Sequence, residues 1–135
     1  MQDKDKTLSL YRLSLSKETL ENAKLCLDNH FYRDCINRSY YVAFYAVKAI
    51  LAIDCIDFKR HKDAVAYFNK MYVASDVFPR ELGKRLGRIK MMREESDYSD
   101  FFIASEEDAI KQYETAKYIL ESIETYLKKK GILNN

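Results

Sequence analysis

Only one proline and three glycines stand in the 135 residues. So few breakers leave little room for tight turns, and the wealth of Leu, Ala, Glu and Lys favours helix over strand. Cysteine is equally sparse: Cys26, Cys35 and Cys55 have no metal-ligand spacing. Cys26 and Cys35 fall on apolar helical stripes, where a thiol acts as a small buried hydrophobe. No zinc site is expected, and a reducing cytoplasm is the expected location. The longest apolar run, Ser39 to Ile53, contains Lys48 and is too short to cross a bilayer. The opening Met1-Gln-Asp-Lys-Asp-Lys6 is polar and mixed in charge, so neither a secretory leader nor a membrane role is expected. There is no Gly-rich phosphate loop and no nucleophile elbow, which argues against a free-standing metabolic enzyme.

What the chain does have is Arg38-Ser-Tyr-Tyr-Val-Ala-Phe-Tyr-Ala-Val-Lys-Ala-Ile-Leu51. Tyr40, Tyr41, Val42, Ala43, Phe44 and Tyr45 follow one another, so apolar groups lie almost all the way round a helix. That pattern means burial against several neighbours and predicts a central bundle helix, with Arg38 and Lys48 its only charges. Upstream, Leu20, Ala23 and Leu27, with Cys26 beside them, predict a first helix that starts near Lys6 or Ser16 and ends by Asn29. Asp28-Asn-His30 then turns the chain into the second helix, from about Tyr32 to Ile53, roughly 33 Å long at the usual rise. A link this short makes the two helices antiparallel neighbours.

Beyond the polar connection Asp54 to Lys62, the positions Ala64, Val65, Tyr67, Phe68, Met71 and Tyr72 predict a short third helix, ended by Ser75-Asp76 and Pro79. Pro79 suits the opening turn of a fourth helix. The buried side of that helix reads Leu82, Leu86, Ile89 and Met92 or Arg93. Gly83 and Gly87 share a face and predict close approach of another backbone. Glu94 to Ala104 reads as a loop or a fraying helix end. Ser105, followed by Glu106, Glu107 and Asp108, is an N-cap with favourable acidic groups. The last helix carries Ala109, Tyr113, Ala116, Leu120, Ile123 and Leu127 on a heptad-like seam. Lys128 to Lys130 complement its dipole, and Gly131 is its C′ residue. The expected fold is all-α: one domain, 1–135 with its core in about 15–127, forming an up-and-down antiparallel bundle of about four or five helices.

The net charge of +2 does not by itself imply a nucleic-acid partner. Its distribution is more informative. Arg80, Lys84, Arg85, Arg88, Lys90 and Arg93 oppose Glu81 alone, and Glu94, Glu95, Asp97 and Asp100 follow directly. The basic helix is either a solvated face or a surface for nucleic acid or an acidic partner. Arg93 and Asp97 lie one turn apart, so they either close the helix as an ion pair or belong, with Tyr98, to a chemical site. Arg38 is either a structural cap or a phosphate ligand facing the same cleft as Arg93. Tyr40, Tyr41, Phe44 and Tyr45 read as core or as a stacking platform, and His61 as a surface helix start or a cleft residue.

The ordered set of these signals resembles the HEPN family (higher eukaryotes and prokaryotes nucleotide-binding domain), in its small stand-alone bacterial and archaeal branch. The first helix leads through His30-Phe-Tyr-Arg-Asp-Cys35 into Arg38-Ser-Tyr-Tyr-Val-Ala-Phe-Tyr-Ala, which is similar to the family's Arg-x-Tyr-Tyr-Ala-x-Phe-His/Tyr-Ala core. His61 and Phe68 follow, and Arg93-Glu-Glu-Ser-Asp97-Tyr98 resembles the Arg-x-x-x-Asp-Tyr signature. Phe102-Ile-Ala-Ser-Glu-Glu-Asp-Ala109 leads into a last helix ending Ile123-Glu-Thr-Tyr-Leu127. The resemblance spans Leu15 to Leu127.

It implies a helical bundle that pairs as a homodimer and works beside a minimal nucleotidyltransferase in a toxin–antitoxin-like module. Many members are metal-independent ribonucleases in which a His follows an Arg by one to two helical turns. Here His30 would need Arg at 23 to 25, where Ala23-Lys-Leu25 stands, and His61 would need it at 54 to 56, where Asp54-Cys-Ile56 stands. Arg93 is instead followed by Asp97 and Tyr98, and a tyrosine near its ordinary pKa is a poor base at neutral pH. The expectation is a nucleotide- or RNA-binding and interaction module needing no cofactor and no metal, with Arg38, Tyr41, Tyr45, His61 and Arg93 as ligand contacts. The alternatives are an RNA-cleaving toxin using Arg93, Asp97 and Tyr98, and a purely structural adaptor.

Overall fold

Helix α2 (Tyr32–Ile53) runs through the middle of the bundle and packs against all four other helices, α1 (Asp3–Asp28), α3 (His61–Phe68), α4 (Arg80–Tyr98) and α5 (Glu106–Lys129). The computed structural model describes Met1–Asn134, and no strand occurs among the described residues. The aromatic run explains the position of α2. Tyr40, Val42, Ala43, Phe44, Ala46, Val47 and Ala49 to Ala52 are all buried, on every side of the helix. The bundle is the expected all-α architecture. In the described residues no helix is long and apolar enough to cross a membrane.

Helix α1 lies antiparallel to α2 in a register set by small residues. Ser9 Oγ donates to Ala49 O at 2.7 Å, and Ser16 Oγ donates to Val42 O at 2.6 Å. One heptad further on, Ala23 shares a core cluster with Cys35. Ser9, Ser16 and Ala23 thus run down one helix while Ala49, Val42 and Cys35 run up the other. Both serine hydroxyls are buried, and each is satisfied by a carbonyl of the facing helix. The serines also explain why α1 begins earlier than the expected Lys6 or Ser16. Its inner face opens with polar residues, so apolar periodicity is weak there. Gln2 N donates to Asp5 Oδ2 at 2.9 Å in a capping box, which starts the helix at Asp3.

A single π turn, Asn69–Val73, continues α3. Tyr67 and Tyr72 both donate to Asp54 at the end of α2, at 3.1 and 2.7 Å, which fixes this segment to the central helix. Gly83 lets the π turn approach α4, because a Cβ there would lie 2.9 Å from Val73 Cγ1. Gly87 plays no such part. A Cβ at that position would meet nothing within 4 Å, so of the two glycines only Gly83 serves close packing inside the fold.

Helix α4 continues to Tyr98, with a real loop only from Ser99. Two pairs one turn apart, Lys90–Glu94 at 2.6 Å and Arg93–Asp97 at 2.9 Å, hold its last turns. Ser105 Oγ then accepts from Asp108 N at 3.0 Å and starts α5. Helices α1, α2 and α5 end in the same turn. Its left-handed residue is His30 (φ 65°), Cys55 (φ 59°) and Gly131 (φ 76°) respectively. The following N–H reaches back to close each helix: Phe31 to Cys26, Ile56 to Leu51 and Ile132 to Leu127. The main core surrounds α2, α4 and α5, and a smaller cluster of Ala23, Cys35, Ile36 and Ala109 fills the end near the α1–α2 turn. Burial pushes the Cys35 thiol up to about 11, which suits a packing role.

Candidate functional site

The inner side of α4 carries Arg93 across to α2. There its guanidinium carbon lies 5.1 Å from the ring centre of Tyr40, 5.5 Å from that of Tyr41 and 5.6 Å from that of Tyr98. Nη2 donates to Tyr41 Oη at 3.1 Å. Nε sits 2.9 Å from Asp97 Oδ2, but its N–H points off the line between them and finds no aligned acceptor. Asp97 Oδ2 also accepts from Asn37 Nδ2 of α2 at 3.1 Å. Only 16% of the Arg93 side chain and 22% of the Asp97 side chain remain exposed, so the pair is better shielded than a surface bridge. Burial works against the Arg93 charge, but Tyr41, Tyr98 and Asp97 outweigh it and hold its pKa above the ordinary value.

His61, the first residue of α3, also reaches Tyr40. Its Nδ1 lies 2.9 Å from Tyr40 Oη, and its ring stacks on Phe44 with centres 3.9 Å apart. Burial, followed by the cations Arg93, Lys48 and Lys90, lowers its pKa, so the imidazole is neutral at neutral pH. Burial also raises the Tyr40 hydroxyl well above its ordinary value. The cluster therefore combines a fixed guanidinium, a neutral imidazole, a carboxyl group and tyrosine hydroxyls. Tyr98 stands at its mouth, 72% exposed.

The structure gathers Arg93, Asp97, Tyr98, Tyr41 and His61 around Tyr40. Arg38 lies apart and makes none of the cluster's contacts, although it shares a surface hollow with Tyr41. It is exposed, and among the described residues it makes no hydrogen bond or ion pair. With Thr19, Asn22, Tyr41 and Tyr45 it lines an open hollow of about 330 Å³ between α1 and α2. Tyr41 is the link: it lines the hollow, and its hydroxyl takes the hydrogen bond from Arg93. Such an arrangement can receive an anion at Arg38 and an aromatic ring against Tyr41 or Tyr45.

Two participants escaped the sequence reading: Asn37 braces Asp97, and Lys48 contributes to lowering the His61 pKa. Phe44, read as core or stacking platform, carries the His61 ring. A signal for them existed: Asn37, Tyr41, Phe44 and Lys48 follow the four-and-three spacing of one helical face. It was hidden because apolar residues surround α2 on every side.

The HEPN domain profile matches residues 10–126. A UPF0332 protein of Thermotoga maritima is 32% identical over 124 residues, covering 92% of this chain and 93% of its own. A toxin candidate from Methanocaldococcus jannaschii is 26% identical over 107 residues, covering 79% of this chain and 80% of its own. The crystal structure of ST0689, an archaeal HEPN homologue, has the same fold, with a TM-score of 0.72 at 18% identity over 89% of this chain and 98% of that one. The chain belongs to the HEPN domain family.

Proposed function

We propose that this protein is a HEPN module that binds RNA or a nucleotide and engages partner chains, within a cytoplasmic toxin–antitoxin-like system. One observation carries the binding part. Arg38 is an unpaired, exposed cation in the same hollow as Tyr41 and Tyr45, and Arg93 braces Tyr41 from behind. A phosphate on Arg38 with a base against a tyrosine face is the chemistry of single-strand recognition. Arg93 is already neutralised by Asp97, so its part is to hold Tyr41 and Tyr98 in place. Pairing with a second copy and service beside a small nucleotidyltransferase complete the reading. They rest on the family's character and, for the location, on three free cysteines.

The test is fluorescence anisotropy with a short labelled single-stranded RNA, and with ATP as competitor, at low salt. Arg38→Ala and Tyr41→Ala are each expected to weaken binding about tenfold, the scale of one lost phosphate or stacking contact. No binding at millimolar protein would sink the proposal in favour of a structural adaptor, and binding indifferent to both changes would put the ligand elsewhere than this hollow.

A second reading has its own support, since relatives are described as toxin candidates. In it the protein cleaves RNA with Arg93, Asp97 and Tyr98. It predicts growth arrest on expression, relieved by Arg93→Ala, Asp97→Ala or Tyr98→Phe. RNA cleavage by a clean preparation, lost in Arg93→Ala, would establish that reading over the non-catalytic one.

A further inference from the structure

We infer that the hollow at Arg38 is one half of a longer groove, which takes two successive bases of a single strand with their linking phosphate on Arg38. The inference rests on the RNA binding proposed above and narrows its ligand from a nucleotide to a dinucleotide step. A second hollow, of about 380 Å³, opens between α1 and α2 nearer their connecting turn, lined by Asn22, Leu25, Cys26, Asn29, Phe31 and Arg38. Asn22 and Arg38 line both hollows, so the two meet there. On α1, Thr19, Asn22, Cys26 and Asn29 follow three- and four-residue steps, and on α2 Arg38, Tyr41 and Tyr45 do the same. The groove thus tracks the seam of the antiparallel pair for about 15 Å, the span of α1 from Thr19 to Asn29 at the usual rise.

Each end of the groove offers an aromatic residue, Tyr41 and Tyr45 at one and Phe31 at the other. Phe31 is 60% exposed, as is Leu25 beside it. That exposure is not slack in the chain. Phe31 N donates to Cys26 O at 2.8 Å, and Phe31 O accepts from Cys35 N at 2.9 Å, so the backbone is fixed while the side chain is left to solvent. A ring carried on an ordered backbone stacks at a smaller entropic cost than one on a mobile loop. In the middle, the Asn22 side-chain amide is exposed and makes no hydrogen bond among the described residues. It leaves a donor and an acceptor open beside Arg38, suited to a base edge or a ribose hydroxyl.

Charge decides what length of ligand fits. Burial and then Asp34 raise the Cys26 thiol, while Arg38 lowers it, so a carboxylate and a guanidinium both stand near the second hollow. Asp34 precedes Arg38 by one turn and forms no ion pair among the described residues. A triphosphate running from Arg38 toward Phe31 would carry its further charges toward Asp34. A phosphodiester carries one charge, flanked on both sides by uncharged nucleosides. One cation between two aromatic ends matches that pattern, whereas a mononucleotide fills a single end. Tyr41 belongs to the groove and, through its hydroxyl, to the Arg93 cluster, so a strand seated here is anchored beside that cluster without occupying it.

The experiment is displacement of a short labelled single-stranded RNA, read by anisotropy, with the dinucleotide ApA, AMP and ATP as competitors, and with circular dichroism confirming that each variant is folded. The AMP phosphate carries more charge than the diester of ApA, so a site that reads phosphate alone prefers AMP. ApA is instead expected to compete about tenfold better than AMP or ATP, the scale of one added stacking contact. Phe31→Ala is expected to remove that advantage and to leave AMP within about twofold of wild type. The chain has no tryptophan, so Phe31→Trp installs a single reporter at the far end of the groove. It is expected to retain ApA binding and to lose fluorescence as a base stacks on the indole, and Arg38→Ala in the same protein is expected to abolish the response. ApA no better than AMP, a Phe31→Ala protein equal to wild type, or an indole indifferent to ApA overturns the two-base groove. Those outcomes leave a one-nucleotide site at Arg38 and Tyr41 standing. Absence of binding by RNA, ApA and AMP alike overturns both.

Discussion

Arg93 is defined by what surrounds it: three tyrosine rings, one tyrosine hydroxyl and one carboxylate. Asp97 in turn ties α4 to α2 through Asn37. Asp97→Ala removes both contacts and leaves a largely buried guanidinium without its counter-charge. It is expected to cost about 1–2 kcal/mol in urea unfolding, and an unchanged midpoint would show the pair to be structurally idle. His61 gives a pH signature. Its folded-state pKa lies below its ordinary 6.5, so the unfolded chain binds the proton more readily. The associated stability is complete above about pH 6.5 and is lost as pH falls below it through the folded value. Asp57, whose pKa is also lowered, acts only further down, in the carboxylate range. The urea midpoint is therefore expected to fall between pH 7.5 and 5.5 in wild type and to change much less in His61→Gln. Equal slopes in the two proteins would rule out His61 as the source.

Helix elements here are shaped by where small residues sit. Gly83 and Gly87 share a face by spacing, yet the π turn leans on the first and solvent covers the second. Their substitution by alanine is expected to have opposite signs. Gly83→Ala forces Val73 aside and should destabilise, because overpacking of about 1–3 kcal/mol exceeds the gain in helix propensity. Gly87→Ala meets nothing and should stabilise the monomer by about 0.5–1 kcal/mol. Thermal melts at dilute concentration measure both, and a shared sign would contradict the packing. The helix ends allow a further comparison. Cys55 adopts the left-handed conformation that Gly131 adopts freely. Cys55→Gly relieves a strain of about 1 kcal/mol, partly offset by the looser unfolded chain. A small rise in melting temperature is expected, and a fall would mean that the Cys55 thiol, 3.3 Å from Asp5 Oδ2, contributes more than its backbone strain costs.

At the scale of the whole molecule, a net charge of +2 leaves no general attraction for polyanions. Binding of RNA must then come from a few placed cations, and its salt dependence should be shallow. With about two phosphates neutralised, the affinity for single strands is expected to fall only about sevenfold between 50 and 200 mM salt. Arg38→Ala should make the slope shallower still. A steep slope, with a thousandfold loss over that range, would instead point to the exposed cations of α4 as the RNA surface.

The sequence by itself determined the bundle. Apolar residues on every side of one helix can be satisfied only at a centre, so the burial of α2 followed from Tyr40 to Tyr45 alone. Its bounds, Tyr32 and Ile53, were legible because Asp28-Asn-His30 and Asp54 interrupt the pattern on either side. The ordered aromatic and Arg–Asp–Tyr motifs also carried the family. Tertiary structure decided what spacing could not. Ser9 and Ser16 look like surface residues until α2 supplies their carbonyl acceptors. Gly83 and Gly87 are equivalent in spacing until the π turn chooses one of them. Arg38 and Arg93, read as neighbours in one cleft, share only Tyr41, with Arg93 paired to Asp97 and Arg38 free of any partner among the described residues. Periodicity fixes which face of a helix a residue occupies. Which neighbour meets that face, and so which charge remains free for a ligand, depends on how distant parts of the chain pack together.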